Sequence, residues 1–81
     1  MYQTIHETIV VAGVYNKAQF TPRKFKWKHK TYPIDQITLV SNLKDGGVRQ
    51  RIYSVMSAGN MYRLNFNRED ETWFLEEVWC E

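Results

Sequence analysis

Arg23-Lys24-Phe25-Lys26-Trp27-Lys28-His29-Lys30-Thr31-Tyr32, preceded by Thr21-Pro22, decides the fold class of this chain. From Lys24 to Lys28 a lysine alternates with a large aromatic residue. A period of two is that of a β-strand, in which successive side chains point to opposite faces. Phe25 and Trp27 therefore share one face, suited to a core, and Lys24, Lys26 and Lys28 share the other, suited to solvent. Pro22 lacks an N–H and fits the beginning of such a strand. Lys28-His29-Lys30 forms the corner that turns the chain into the next one.

The sequence on either side keeps the same kind of period. Residues 4–14 read as a first strand rich in β-branched side chains, with Ile5, Ile9 and Val11 on one face. Gly13 marks a bulge or a close backbone approach, and Val14 to Thr21 is the connection onward. Beyond the His29 corner a longer strand runs from Thr31 to about Leu43, and its change of phase at Asp35-Gln36 reads as a β-bulge. Lys44-Asp45-Gly46-Gly47 is a tight turn, since Asp-Gly and Gly-Gly accept positive φ. Val48–Ser57 is apolar on both faces, Tyr53 and Val55 against Ile52 and Met56, so its buried side stays open. After Ala58-Gly59-Asn60, Met61–Asn67 turns Tyr62, Leu64 and Phe66 inward. Arg68–Glu71 leads into Thr72–Trp79, where Trp73 and Leu75 lead one face and Val78 changes phase. No segment has a helical period. The expectation is one all-β domain over residues 1–81: a single small antiparallel sheet of five to six strands, strongly bent, or a half-open SH3-like barrel that hides its edges.

The chain has 81 residues, short enough that an efficient core matters. Aromatics at 15% supply it, because each buries about 150–250 Å². Cys80 is alone, which excludes an internal disulfide and reads as a spectator thiol near a chain end. There is no signal-peptide pattern and no apolar run of about 18 residues, so a cytoplasmic protein without a membrane partner is expected.

The net charge of +2 conceals an asymmetry. Between Thr8 and Ile34 stand Lys17, Arg23, Lys24, Lys26, Lys28 and Lys30 with no acid. From Glu69 onward stand Glu69, Asp70, Glu71, Glu76, Glu77 and Glu81 with no base. Catalytic motifs are missing. His6, His29 and Cys80 form no triad pattern and have no local metal-ligand spacing, and Gly46-Gly47 lacks the lysine of a phosphate loop. Glu76-Glu77 point to opposite faces of a strand. No enzyme, cofactor or metal is expected.

The positive signal is the lysine row. Ammonium groups on every second residue recur about 6.6–6.8 Å apart, a spacing that suits the phosphates of single-stranded or duplex nucleic acid. Lys24, Lys26, Lys28 and Lys30 are the candidate contacts, with Arg49 and Arg51 as auxiliaries, and exposed rings nearby would stack bases. Two plainer readings compete. Lysines on an edge strand guard against aggregation, and the acidic closing strand could pair with the basic one and cancel its field. The alternative function is a protein-interaction module, or a homodimer, using an open strand edge. Its cue would be exposed rings among Tyr2, Tyr15, Tyr53 and Trp79.

The run Pro22-x-x-Phe25-x-Trp27-x-x-x-x-Tyr32, with Tyr62-Arg-Leu64-Asn-Phe66 and Trp73-Phe-Leu75 closing the chain, resembles an uncharacterised family of small bacterial all-β domains. The likeness covers roughly residues 20–79. Such domains occur alone or appended to translesion-type polymerases, so the resemblance implies a nucleic-acid context without an assigned activity. His29-Lys30 stands where that pattern has Gly-Arg.

Overall fold

The computed structural model describes residues 2–80. Those residues form seven strands: β1 (Tyr2–Asn16), β2 (Gln19–Trp27), β3 (Lys30–Pro33), β4 (Gln36–Asp45), β5 (Val48–Ser57), β6 (Asn60–Asn67) and β7 (Thr72–Trp79). They make one antiparallel sheet in the order β3-β2-β1-β7-β6-β5-β4. The chain is therefore all-β and antiparallel, with seven strands in place of five to six. Its sheet is not closed, because neither β2 nor β3 forms a ladder with β4. It is one open antiparallel sheet, without the closure of a barrel.

The extra strand comes from Asp35. The change of phase there marks the end of β3, in place of a bulge within one longer strand. Ile34 N–H still donates to Arg23 O, on the β2 side, at 2.8 Å, whereas Asp35 N–H donates to Met56 O on β5, also at 2.8 Å. The chain thus transfers between two parts of the sheet within one residue. The Asp35 carboxylate accepts the Ala58 N–H at 3.0 Å and so caps the β5–β6 turn as well. A bulge does occur a little later, between Ile37 and Leu39.

β1 is the hinge of the sheet. Its first half, to Ile9, pairs with β7, and its second half, from Val10, pairs with β2. Each half has a bulge, one between Thr4 and Glu7 and one between Ala12 and Gly13. Bulges bend a strand and increase its twist. Here they carry the three-stranded part, β1–β2–β3, over the inner face of β7–β6–β5. Gly13 satisfies both of its expected roles: it lies at the bulge, and a Cβ there would clash with the Thr21 carbonyl oxygen and lie 2.8 Å from Pro22 Cα.

The core lies between these two parts. Phe25, Tyr53, Val55, Tyr62, Leu64, Leu75, Val78 and Ile9 are buried in one cluster. Phe25 is stacked on Tyr32 and meets Tyr62 edge-on, with centroids 5.0 and 5.1 Å away. The inward face of β5 is settled as that of Tyr53 and Val55. Ile52 is buried from the opposite face, where it pairs with Ser41 and Asn65. On β7 the register shift opposite Arg63/Leu64 lets Leu75 and Val78 both turn inward, which accounts for the change of phase at Val78. Cys80 packs, half-buried, against the core and is not a frayed spectator.

Four hairpins close through two-residue turns at 17–18, 28–29, 46–47 and 58–59, with Asn16↔Gln19, Trp27↔Lys30, Asp45↔Val48 and Ser57↔Asn60 as their last pairs. Both residues of each turn have positive φ, as a type I′ turn requires. Gly46, Gly47 and Gly59 suit that geometry, whereas Lys17, Ala18, Lys28, His29 and Ala58 adopt it with a Cβ.

Candidate functional site

Residues paired across an antiparallel ladder project on the same face, so the register assigns each basic side chain to a side. Val10, Lys26 and Thr31 form one row, and Ala12, Lys24 and Pro33 the next. Both rows lie on the outer face of the three-stranded part, opposite the row of Val11, Phe25 and Tyr32. Lys24 and Lys26 are exposed there.

The lysine row stops at Lys26. Lys28 is the first residue of the turn, and its Nζ lies 5.0 Å from the Trp27 ring centroid. Lys30 pairs with Trp27, which places it on the aromatic face, with its Nζ 5.3 Å from the centroid of Tyr32. These two ammonium groups cap rings at the hairpin end, contacts worth about 0.5–1 kcal/mol at exposed sites. The Trp27 indole N–H donates to Glu7 Oε1 at 3.0 Å, which ties the hairpin to β1.

The two auxiliary arginines lie elsewhere. Arg49 donates through Nε to Glu69 Oε1 at 3.2 Å. That hydrogen bond holds the Glu69 carboxyl below the ordinary glutamate range. Arg51 sits on the inward row Asn42–Arg51–Phe66, and its Nε donates to Asn42 Oδ1 at 3.0 Å. The six candidates thus form no single patch: Lys24 and Lys26 share one face, Lys28 and Lys30 cluster on the hairpin rings, Arg49 is ion-paired, and Arg51 points into the molecule.

The acidic closing strand does not neutralise the lysines. β7 pairs with β1 and β6, away from β2. The ion pairs among the described residues are His6–Glu76, Arg49–Glu69 and Arg63–Glu77. Glu81 lies outside the described residues. Tyr2 hydrogen-bonds Glu77, which raises the phenol pKa. The asymmetry seen along the chain is therefore one in space. Residues 8–34, which run from β1 through β2 and β3, carry six bases and no acid, and the remainder of the chain, including Glu7 at the start of β1, carries five bases and nine acids.

Exposed rings lie away from the lysine rows. Tyr2 and Trp79 pair edge-to-face at 6.2 Å on the outer face of the β1–β7 ladder. Tyr15 is exposed at the tip of β1, against Phe20 on the inner side, and Tyr53 is buried. Sequence reasoning does not single out β4. Among the described residues it pairs only with β5, and Leu39, Val40 and Leu43 are 57%, 49% and 49% exposed. Apolar residues at adjacent positions on both faces resemble those of a buried strand. The signal of an open edge is tertiary, since it consists of a neighbour that never arrives.

Among the described residues no group of three or more His, Cys, Asp or Glu side chains is placed to hold a metal ion, and no helix is long and apolar enough to cross a membrane. Comparison with protein-family models, with curated proteins and with solved structures returns no match.

Proposed function

We propose that this chain is a small non-catalytic module that binds nucleic acid, or a polyanion of similar charge density, on the outer face of β1–β2–β3. The observation that carries this reading is the segregation of charge. Residues 8–34 carry six bases, none of them in an ion pair among the described residues; Glu7 of β1 is taken up by the Trp27 indole N–H, and the other acids follow from Asp35 onward. Lys24 and Lys26 are the phosphate contacts on that face, Lys28 stands at the turn beside them, and Lys30, over Tyr32 on the other face, adds only to the overall field. No ring belongs to the Lys24 and Lys26 rows, so recognition rests on phosphates and tolerates any base sequence.

Fluorescence anisotropy with labelled single-stranded and duplex oligonucleotides at about 50 and about 200 mM salt tests the proposal. Binding at the lower salt that falls by orders of magnitude at the higher is the expected result. Replacing Lys24 and Lys26 by Gln should flatten the salt dependence by about one unit of log–log slope for each phosphate that is no longer neutralised. Undetectable binding at the lower salt, or binding unchanged in the double variant, overturns the reading.

A second reading is supported by β4. Its outer edge has no ladder partner among the described residues, no charge stands between Asp35 and Lys44, and three of its apolar side chains are about half-exposed. Natural edge strands usually carry charges or prolines that discourage pairing. Under this reading β4 accepts an extended strand from a partner or from a second copy. Sedimentation over a range of concentrations checks the second copy. Leu39→Lys with Leu43→Lys should abolish any association seen, and association that survives those changes rules out this edge.

A further inference from the structure

The open side of the sheet encloses a cleft with a cation set into it. β2 diverges from β4 beyond the Ile34–Asp35 junction, and the space between Phe20–Pro22 and Ile37, Val40 and Asn42 is a cavity of about 410 Å³. A second lobe of about 230 Å³ runs toward Tyr15, Phe66 and Trp73. Phe20, Arg51 and Tyr53 line both lobes and divide them. Small-molecule sites are concave, with volumes of about 300–1,000 Å³, and the larger lobe falls in that range.

Arg51 is out of keeping with its position. It precedes Tyr53 and Val55 on the inward phase of β5, where the following two inward residues are buried in the core. A charge turned inward is normally paired. Arg51 has one neutral acceptor, Asn42 Oδ1, which engages Nε and leaves the terminal N–H groups without a protein acceptor among the described residues. Glu71, exposed beside the smaller lobe, makes no ion pair with it. A guanidinium held through Nε still presents its terminal N–H groups to an anion, in the geometry that matches a carboxylate or phosphate. The partly exposed Phe20 ring borders the cleft, with Tyr53 buried behind it, and Trp73, beside the smaller lobe, lies 5.9 and 5.4 Å from the two.

We infer that this cleft binds a small planar aromatic anion, its ring beside Phe20 and its carboxylate or phosphate on Arg51. The anion lies in the larger lobe, away from Glu71. This site is on the inner side of the sheet and is separate from the outer lysine face, so neither reading depends on the other.

An NMR titration of the whole chain with 2-naphthoate, phenyl phosphate and the neutral 2-naphthamide tests it. The expected result is saturable shifts of the Phe20, Asn42, Arg51 and Tyr53 amides with at least one anion, and binding about tenfold weaker for the neutral amide, which can accept from the guanidinium but brings no opposite charge to it. A response to naphthoate alone assigns the carboxylate, and a response to phenyl phosphate alone assigns the phosphate. Arg51→Gln should weaken the anions to the level of the amide, and Arg51→Lys should recover part of the difference. Val40→Trp, at the exposed mouth, should block all three probes. Equal binding of the neutral amide, unchanged binding by Arg51→Gln, shifts confined to the outer edge of β4, or no shift with any probe overturns the inference. The comparison of charged with neutral probes on the unaltered chain decides the matter even if the Arg51 variants fail to fold.

Discussion

Phe25 on β2 and Tyr62 on β6 meet edge-to-face with centroids 5.1 Å apart and planes at 64°, although no ladder joins their strands. Their contact, together with Tyr32 against Tyr62 at 5.4 Å, clamps the three-stranded part over the rest of the sheet. Two parts joined through β1 and the Ile34–Asp35 crossing would otherwise present one apolar face each to water.

Phe25→Ala should remove this clamp. Truncating a buried Phe destabilises by about 3–5 kcal/mol, much of the roughly 5–15 kcal/mol that holds a domain together. Urea unfolding should show a large drop in stability with collapse of the near-ultraviolet circular dichroism. Phe25→Leu should lie between the two. A variant as stable as the parent would show that the two parts are held by other contacts.

Glycine should stabilise two of the turns. Ala18 and His29 have φ of 64° and 63°, a region that costs an L-residue about 1–2 kcal/mol. Glycine recovers that and gives back part of it as unfolded-chain entropy. Ala18→Gly and His29→Gly are each expected to gain about 0.5–1 kcal/mol, read as a higher urea midpoint at unchanged slope.

Gly13→Ala should act in the opposite direction. The new Cβ would meet the Thr21 carbonyl oxygen and Pro22 Cα, which are backbone atoms and cannot rotate away. A decrease of about 1–3 kcal/mol in stability is expected from this overpacking, with the largest amide shifts at Ala12–Val14 and Phe20–Pro22. An alanine variant of parental stability would mean that the bulge relaxes freely.

The Arg49–Glu69 pair should appear in acid. The guanidinium lowers the Glu69 pKa in the folded chain, so the pair's contribution is complete above the unfolded glutamate value. It disappears as pH falls through the lower, folded value. NMR titration should find Glu69 protonating at lower pH in the parent than in Arg49→Gln. The urea midpoints of the two proteins should converge as the pH is taken down through that range. Because both side chains are largely exposed, the gap will be small.

The all-β class, the turns at 46–47 and 58–59 and the division of Phe25 and Trp27 from Lys24 and Lys26 were legible in the sequence. Each depends on geometry within a few residues: the two-residue period of an extended chain, and the φ that Gly46, Gly47 and Gly59 accept. The turn at Lys17–Ala18 was not legible, since the stretch read as a connection from Val14 to Thr21 is strand on both sides of it. The candidate site was legible only in part. Lys24 and Lys26 lie where the alternation put them, but Lys30 shares a face with Trp27 because a two-residue turn pairs it with that residue. Arg51 has the same parity as Tyr53, and its inward direction followed only once the buried face of β5 was known.

What the sequence determined by itself was the two-sided character of the strands and the run of bases without an acid. The tertiary structure alone decided where the chain leaves one part of the sheet for the other at Asp35, which strand lies beside the lysines, and that β4 has no outer neighbour. β1 pairs with β7 across almost the whole length of the chain. Pairing of that kind is chosen by competition among apolar faces distant in sequence, and a local period carries no record of the winner.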